Sequence, residues 1–348
     1  MSTLLIPVAL LIAAGLLEIF SINAHLAFLQ LLWVAAGAGL ILLISKIDYR
    51  AILSRQWVAG GIYLASIVLL GWVALFGPVI RGTRSWVVVG PFHVQPSELA
   101  KFALIIFLSQ YLRRRHYHIA QWRTILGSFA VVAIPAALIA LQPDFGSALV
   151  LGGIWFGMVL ASGLPRARVL LFLVLFAVAA VALWHIGLQP YQKARILGVL
   201  FPNRDPLGVN YSTIQSKIAI GSAGWWGKGF RQGSQTQLGF LPEPTTDFIF
   251  AAFVEEWGWI AGILLLALFG WLFWKTLRIA IASEKSVEQL ACYGAVVMWG
   301  WQFFINIGSA LGIFPVVGVP LPFVSYGGSN LLTNLALVSI IAAIDWKK

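Results

Sequence analysis

Apolar residues run along this chain in blocks rather than in stripes. Nearly unbroken apolar segments cover residues 4–22, 27–45, 57–76, 97–112, 123–141, 145–161, 168–187, 247–274, 287–312 and 327–345. A helix needs roughly 20 such residues to cross a bilayer core, and in lipid a helix satisfies its own backbone hydrogen bonds. The pattern predicts an all-α, polytopic membrane protein of about ten transmembrane helices. A single membrane domain, 1–348, is expected, with no soluble module and no clear internal repeat. The first block has no basic stretch before it, Lys46 being the first Lys or Arg, and the second block follows at once. It reads as a span and not as a signal peptide.

Three stretches interrupt the blocks. Residues 188–246 are too long for a plain connection and form a large loop. Within it, in "SKIAIGSAGWWGKGF", the spacing around Lys217 predicts a short amphipathic helix, and Trp225 and Trp226 suit a membrane interface. In 77–96, "VVVG" predicts a short strand or turn. Pro96 then opens the next helix, with Ser97 and Glu98 beside the positive end of its dipole. In "GIFPVVGVPLPFVSYGGSN" (312–330), Pro and Gly forbid a continuous helix. Irregular backbone near a membrane is tolerated where it lines a cavity or is buried in protein; Ser325, Tyr326 and Ser329 can donate hydrogen bonds there.

The chain is 60% hydrophobic and 10% charged, with a net charge of +11. Placement decides what that charge means. Lys46, Arg50, Arg55, Arg113, Arg114, Arg115, Arg123, Arg166, Arg168, Lys275, Arg278, Lys285, Lys347 and Lys348 all fall on alternate loops and the tail. By the positive-inside rule both termini are cytoplasmic, and no nucleic-acid partner is needed to explain the charge. Arg81, Arg84, Lys193, Arg195, Arg204, Lys217, Lys228 and Arg231 fall on the opposite side. Either the long loop crosses regardless of its charge, or an anionic ligand binds outside. The single Cys292 allows no disulfide within the chain, and His25, His93, His116, His118 and His185 show no zinc-ligand spacing.

Ionisable residues beside membrane spans are costly and mark sites. Arg84, Glu98, Lys101, Asp144 and Asp247 all fall at the outer ends of their helices, so an outward-opening polar cavity is expected. Glu98 and Lys101 are three apart and can meet, either to hold helices in register or to stand beside a substrate. Asp144 and Asp247 both sit where an acid can cap a helix. Glu255 lies about 80° round the helix from Asp247 and roughly 12 Å deeper, and Glu256 lies on about the opposite face. Those two are expected to bond neighbouring helices, which leaves Asp247 as the better reactive candidate. An enzyme and an outward-facing transporter acting on an anionic, lipid-linked substrate both fit.

Five motifs, "QPSELAK" (95–101), "QPDFGSALV" (142–150), "DPLGVNYSTIQSKIAIGSAGWWGKGF" (205–230), "FLPEPTTDFIFAAFVEEWG" (240–258) and "GIFPVVGVPLPFVSYGGS" (312–329), resemble the SEDS family (shape, elongation, division and sporulation). They run in order over nearly the whole chain and are nearer the rod-shape branch than the division branch. The resemblance implies a peptidoglycan glycosyltransferase of the inner membrane. It would polymerise lipid II, an undecaprenyl-diphosphate-linked disaccharide pentapeptide, at the outer face. A class B penicillin-binding protein (the transpeptidase) and the rod-shape elongation machinery are its implied partners. The family's essential acid falls on Asp247, as general base for the acceptor hydroxyl; its Glu–Lys pair falls on Glu98 and Lys101, and its "QPD" acid on Asp144. Arg84, Lys101 and outer-loop cations such as Lys217, or a divalent cation (Mg or Mn), would neutralise the leaving diphosphate, and Ser325 would donate a hydrogen bond. A lipid II flippase and a scaffold for an active partner are the rival readings; polar residues clustered on one side favour the enzyme. The chain departs from the family at Thr245, where His is frequent, at Leu29 before Gln30, where a basic residue is frequent, and at Ser85 after Arg84, where some relatives carry a second basic residue.

The topology is testable by thiol labelling of intact cells once Cys292 is replaced. Lys217→Cys should react with an impermeant reagent and His116→Cys should not; the reverse pattern would invert the topology.

Overall fold

The computed structural model describes residues 3–46, 49–80, 82–90, 92–115, 121–201 and 205–346. Arg81, His116, His118, Arg204, Lys347 and Lys348, and the Arg50 side chain, lie outside what is described.

The ten apolar blocks fold as helices. In chain order these are α1 (Leu5–Ile22), α2 (Ala24–Lys46), α4 (Gln56–Phe76), α5 (Pro96–Arg114), α6 (Trp122–Ala140), α7 (Phe145–Ala161), α8 (Arg166–Ala182), α12 (Ile249–Ile281), α13 (Ser286–Ala310) and α14 (Gly328–Trp346). Between them lie α3 (Tyr49–Ser54), a hairpin of β1 (Val87–Val89) and β2 (Phe92–Val94), and the loop helices α9 (Pro190–Leu200), α10 (Tyr211–Ser222) and α11 (Ser234–Gln237). Eight of the ten are long and apolar enough to cross a membrane, α8 by way of its continuation to Gly187; α7, with 17 residues, is shorter, and α5 carries Glu98, Lys101, Arg113 and Arg114.

Burial sorts the helices. α5, α13 and α14 form the middle of the bundle and bury most of their length. α8 buries no residue; a helix apolar all round and still exposed is suited to lipid. Exposed Leu31, Leu42, Leu64 and Leu75 on α2 and α4 fit the same solvent.

The short strand, the proline-led α5 and the amphipathic α10 form as expected. The eighth span does not stay a continuous helix: α12 breaks at Gly258, whose φ of 81° and ψ of 176° are not helical. Residues 224–229 close over the break. Trp259 N–H donates to Gly224 O (3.1 Å), Ile260 N–H to Trp225 O (3.3 Å), Lys228 N–H to Glu255 O (2.9 Å) and Gly229 N–H to Glu256 O (2.9 Å). The backbone groups released by the break are thereby paired again, the condition for non-helical chain at membrane depth. The approach requires two glycines. A Cβ on Gly227 would lie 2.2 Å from Glu256 O, and one on Gly258 would lie 2.3 Å from Gly227 N.

Gly258→Ala should therefore lower stability by about 2 kcal/mol or more, since this backbone region is essentially confined to glycine. Gly270→Ala, in the same helix with open space around it, should be neutral or stabilise by roughly 0.5–1 kcal/mol. Thermal unfolding in detergent checks both; equal midpoints would mean the break is relaxed.

Candidate functional site

Residues 243–248 make the turn that feeds α12. Thr246 N–H and Phe248 N–H both donate to Glu243 O at 3.2 Å. Phe248, not Asp247, holds the N-cap position, and it gives no side-chain cap. Asp247 is therefore not the capping residue that "PTTD" suggested. Its side chain is half-buried, and a Cβ on Gly318 (φ 71°) would lie 3.9 Å from its Oδ2.

The three carbonyls leading up to that side chain are all tied down. Tyr326 N–H donates to Thr245 O (2.8 Å), Ser325 Oγ to Thr246 O (2.7 Å), and Asn306 Nδ2 to Asp247 O (3.1 Å). Asn306 Nδ2 also donates to Val319 O (2.9 Å), and Ser325 Oγ accepts Leu321 N–H (2.9 Å). Gln30 on α2 supports the loop from behind: Gly327 N–H donates to its Oε1 (3.2 Å), and its Nε2 donates to Ser325 O (3.3 Å). Ser325 thus positions the acid's segment. Burial raises the Tyr326 phenol above its ordinary value.

Residues 315–319 act as a shared wall. Gly318 faces Asp247. Val317 and Val319 pack on Gly146, where a Cβ would lie 2.3 Å from Val317 O. Pro315 and Val316 line a separate cleft that contains Lys217. Asp144 stands two residues before Gly146 and does cap α7: its Oδ1 accepts Ser147 N–H (3.1 Å) and its Oδ2 accepts Gln95 Nε2 (2.9 Å). Arg84 is exposed near the hairpin.

The expected single cavity does not gather all these groups. Glu98 and Lys101 are each 1% exposed, enclosed in the bundle and paired at 2.7 Å. Asn330 Nδ2 donates to Glu98 Oε2 (3.2 Å), Asn334 Nδ2 to Asn330 Oδ1 (2.9 Å), and Trp299 Nε1 to Asn334 Oδ1 (2.8 Å). An ion pair tolerates burial when further hydrogen bonds complete it, and this chain of amides links α5 to α14 and α13.

Glu255 and Glu256 are buried and bonded, chiefly to the short α11 and to α1, with Lys228 and Arg231 added from the loop between α10 and α11. Glu255 accepts Lys228 Nζ (2.7 Å), Gln235 N–H (2.9 Å), Thr236 N–H (3.0 Å) and Thr236 Oγ1 (2.8 Å). Glu256 accepts Gln237 Nε2 (2.8 Å), Arg231 N–H (3.1 Å) and Ser21 Oγ of α1. The two acids anchor 228–237 on the broken helix. Glu18 of α1, which accepts Trp257 Nε1 at 3.0 Å, went unread in the sequence although a lone acid in an apolar span was visible. Asn306, Asn330, Asn334 and Gln30 were equally legible as amides inside spans, where such groups serve interhelical bonding.

Among the described residues no group of three or more His, Cys, Asp or Glu stands together as a metal site. The carboxylates near the wall do not by themselves form a cage for a resident divalent cation.

The profile of the family described as cell cycle protein (FtsW/RodA/SpoVE) matches residues 2–348. Peptidoglycan glycosyltransferase MrdB of Escherichia coli K12 is 38% identical over 283 residues, 81% of this chain and 76% of that protein. Probable peptidoglycan glycosyltransferase FtsW of Thiomicrospira cyclica is 38% identical over 290 residues, 82% of this chain and 74% of that protein. Stage V sporulation protein E of Bacillus subtilis is 35% identical over 359 residues, 98% and 96% of the two chains. The crystal structure of Thermus thermophilus rod shape determining protein RodA superimposes with a TM-score of 0.75 at 29% identity, covering 99% of this chain and 96% of that one. A chain of a peptidoglycan synthase complex superimposes with a TM-score of 0.85 at 33% identity, covering 99% and 97%. With a matching profile along its length, relatives across the group and their fold, this multi-pass membrane protein belongs to the FtsW/RodA/SpoVE, or SEDS, family.

Proposed function

We propose that the protein is a peptidoglycan glycosyltransferase that polymerises lipid II, with Asp247 as general base. The observation that carries this reading is the placement of Asp247. Its carboxylate stands one residue outside the N-cap, against Gly318, on a segment whose three carbonyls are each held by a partner from α13 or the 321–326 loop. An acid held that firmly without serving as a cap is suited to take a proton at a fixed point.

In the reaction, the 4-hydroxyl oxygen of one GlcNAc forms a bond to the anomeric carbon of MurNAc on another chain. The bond from that carbon to the undecaprenyl diphosphate oxygen breaks, and the diphosphate leaves with the electron pair. Asp247 takes the hydroxyl proton. A positioned base contributes about 10²–10⁴-fold. Direct displacement of an α-linked donor gives a β-linked strand.

Glu98 and Lys101 act from behind. Their pair, extended by Asn330, sets α14 against α5, and α14 begins directly after the Ser325–Gly327 segment that grips the 245–246 carbonyls. The placement of basic residues puts both termini in the cytoplasm and this site on the outer face. We assign the chain to cell elongation, with a class B penicillin-binding protein as the transpeptidase partner, on its "GSQTQLGFLPE" and "GVPLPFVSYGG" motifs. Relatives bearing elongation and division names are equally identical to it, at 38%, so the branch is tested in cells. Expression should restore rods to cells depleted of their rod-shape SEDS protein and should not restore septation to cells depleted of the division one.

Purified with its transpeptidase and given labelled lipid II, the protein should make moenomycin-resistant glycan. Asp247→Asn keeps size and hydrogen bonding but removes basicity, and polymer formation should fall about 100-fold or more while folding and partner binding persist. Near-normal synthesis by Asp247→Asn would remove the base assignment.

Glu98→Ala and Lys101→Ala should each impair polymerisation and lower the unfolding midpoint, because removing one partner of a buried pair costs about 3–5 kcal/mol. The double variant should be less damaged than the sum of the two. Strict additivity would show that the two side chains do not act together.

A further inference from the structure

The end of the bundle away from Asp247 carries a cluster that the reaction does not use. α7 begins against the 315–319 wall, where Gly146 meets Val317, and runs for 17 residues, roughly 25 Å, before α8 starts. Trp122 opens α6 at this far end, and Arg168 stands in the first turn of α8. The Arg168 guanidinium lies over the Trp122 ring at 5.3 Å, within cation–π range. Its Nη1 is enclosed, and among the described residues it has no hydrogen-bond partner. An enclosed donor without an acceptor is costly, so it calls for one.

Further cations stand around Arg168. Arg123 and Arg166 are exposed in the same two first turns. Arg115, at the end of α5, lies over Tyr111 at 4.0 Å, and Tyr111 Oη donates to Thr124 O of α6 at 3.3 Å. These helices bring no counter-charge. Between Glu98 and Asp205 the sequence holds a single acid, Asp144, which caps the opposite end of α7. Glu288, at the start of α13, is taken up by Tyr49 and Lys285. The N-terminal ends of α6 and α8 add partial positive charge.

Below the cations the surface turns aromatic. Arg168, Phe172 and Phe176 follow at four-residue spacing on one face of α8, about 6 Å apart in depth. Phe172 packs on Trp122, Trp155 and Phe156 at 6.5, 5.5 and 6.4 Å, and Phe176 packs on Phe156 at 5.2 Å. These rings bridge α8 to α6 and α7, yet α8 buries no residue, and Trp122, Phe129 and Phe176 stay exposed. A second cation–aromatic cluster lacks these features. Lys275 and Arg278 lie over Trp274 at 5.3 and 4.8 Å, but they close α12 at the negative end of its dipole, and Glu284 follows in the next loop.

A fixed cation with an uncovered aromatic stripe below it matches a molecule with a phosphate at one end and hydrocarbon chains at the other. The charge pattern puts this end at the cytoplasmic surface, where basic pockets between spans receive anionic headgroups. We propose that the α6–α8 cluster binds an anionic diacyl phospholipid of that leaflet. Its phosphate meets Arg168 beside Trp122, and one chain lies along Phe172 and Phe176.

The test is native mass spectrometry of the full-length protein in detergent, titrated with dioleoyl phosphatidylglycerol. Arg168→Gln should weaken the tightest lipid adduct about tenfold or more, as for loss of a charge-assisted contact. Arg168→Lys keeps the charge without the planar fork and should fall between that variant and the parent. Arg278→Gln should bind like the parent. Dioleoyl phosphatidylcholine, with the same chains and a neutral headgroup, should bind more weakly and should not respond to Arg168→Gln. Unfolding midpoints equal to the parent's establish that the variants are folded; if Arg168→Gln unfolds early, the Arg168→Lys comparison carries the test. Phosphatidylglycerol affinity unchanged by loss of the Arg168 fork, or reduced equally by Arg278→Gln, would overturn the site. Phosphatidylcholine bound as tightly would overturn the anionic assignment, and displacement of the lipid by equimolar inorganic phosphate would make this a site for a free anion. Because no turnover is read, Asp247→Asn should bind the lipid normally, and the catalytic reading and this one can fail separately.

Discussion

Non-helical backbone inside a membrane bundle has no water to bond to, so every released amide and carbonyl must find a protein partner. The site is built from that requirement. The chain leaves helical geometry at Gly258 and between α13 and α14. At the first place the 224–229 segment re-pairs the broken ends. At the second, Ser325, Tyr326 and Asn306 pair the loop and α13 with the turn before α12, and Gln30 ties the loop to α2. The bonds that make the irregular chain affordable are the same ones that fix where Asp247 points.

Charge is handled by the same rule. Glu98 and Lys101 are buried as a complete unit because Asn330 and Asn334 extend the pair. Glu255 and Glu256 are buried because the 228–237 loop brings amides, hydroxyls and Lys228 to them. These groups hold α14 and the long loop in place. Asp247, Arg195 and Lys217 differ: the acid is half-buried beside the wall, and the two cations line a cleft with no Asp or Glu among its described lining residues. That contrast separates the groups that stabilise from the groups suited to meet a ligand.

Much of this was visible in the sequence. Block hydropathy located the ten long helices, and Pro96, "VVVG" and the Lys217 segment announced α5, the hairpin and α10. Asp144 caps its helix as its position suggested. What escaped depended on contacts between distant segments. Gly258 sits in "EEWGWI" like any helical glycine, and only the approach of Gly227 shows why the helix breaks there. Glu98 and Lys101 were expected to line an open cavity, but helix position fixes only the level of a residue along the bundle. Whether the pair faces water depended on Asn330, which is 232 residues away. The amides that organise the site lay in plain view inside apolar spans, yet an isolated Asn or Gln does not announce its partner.

Asn306 joins the two halves of the site, since one side-chain nitrogen holds both Asp247 O and Val319 O. If the acid works because its segment is clamped to the 315–319 wall, removing that single donor must cost catalysis. The most direct measurement is the lipid II polymerisation rate of Asn306→Leu, which keeps the volume of the side chain but cannot donate. The account predicts a fall of about tenfold or more, in line with losing hydrogen bonds to two buried carbonyls, in protein that still folds and still binds its transpeptidase. Polymerisation by Asn306→Leu at the parental rate would contradict it, because the acid would then not depend on the clamp.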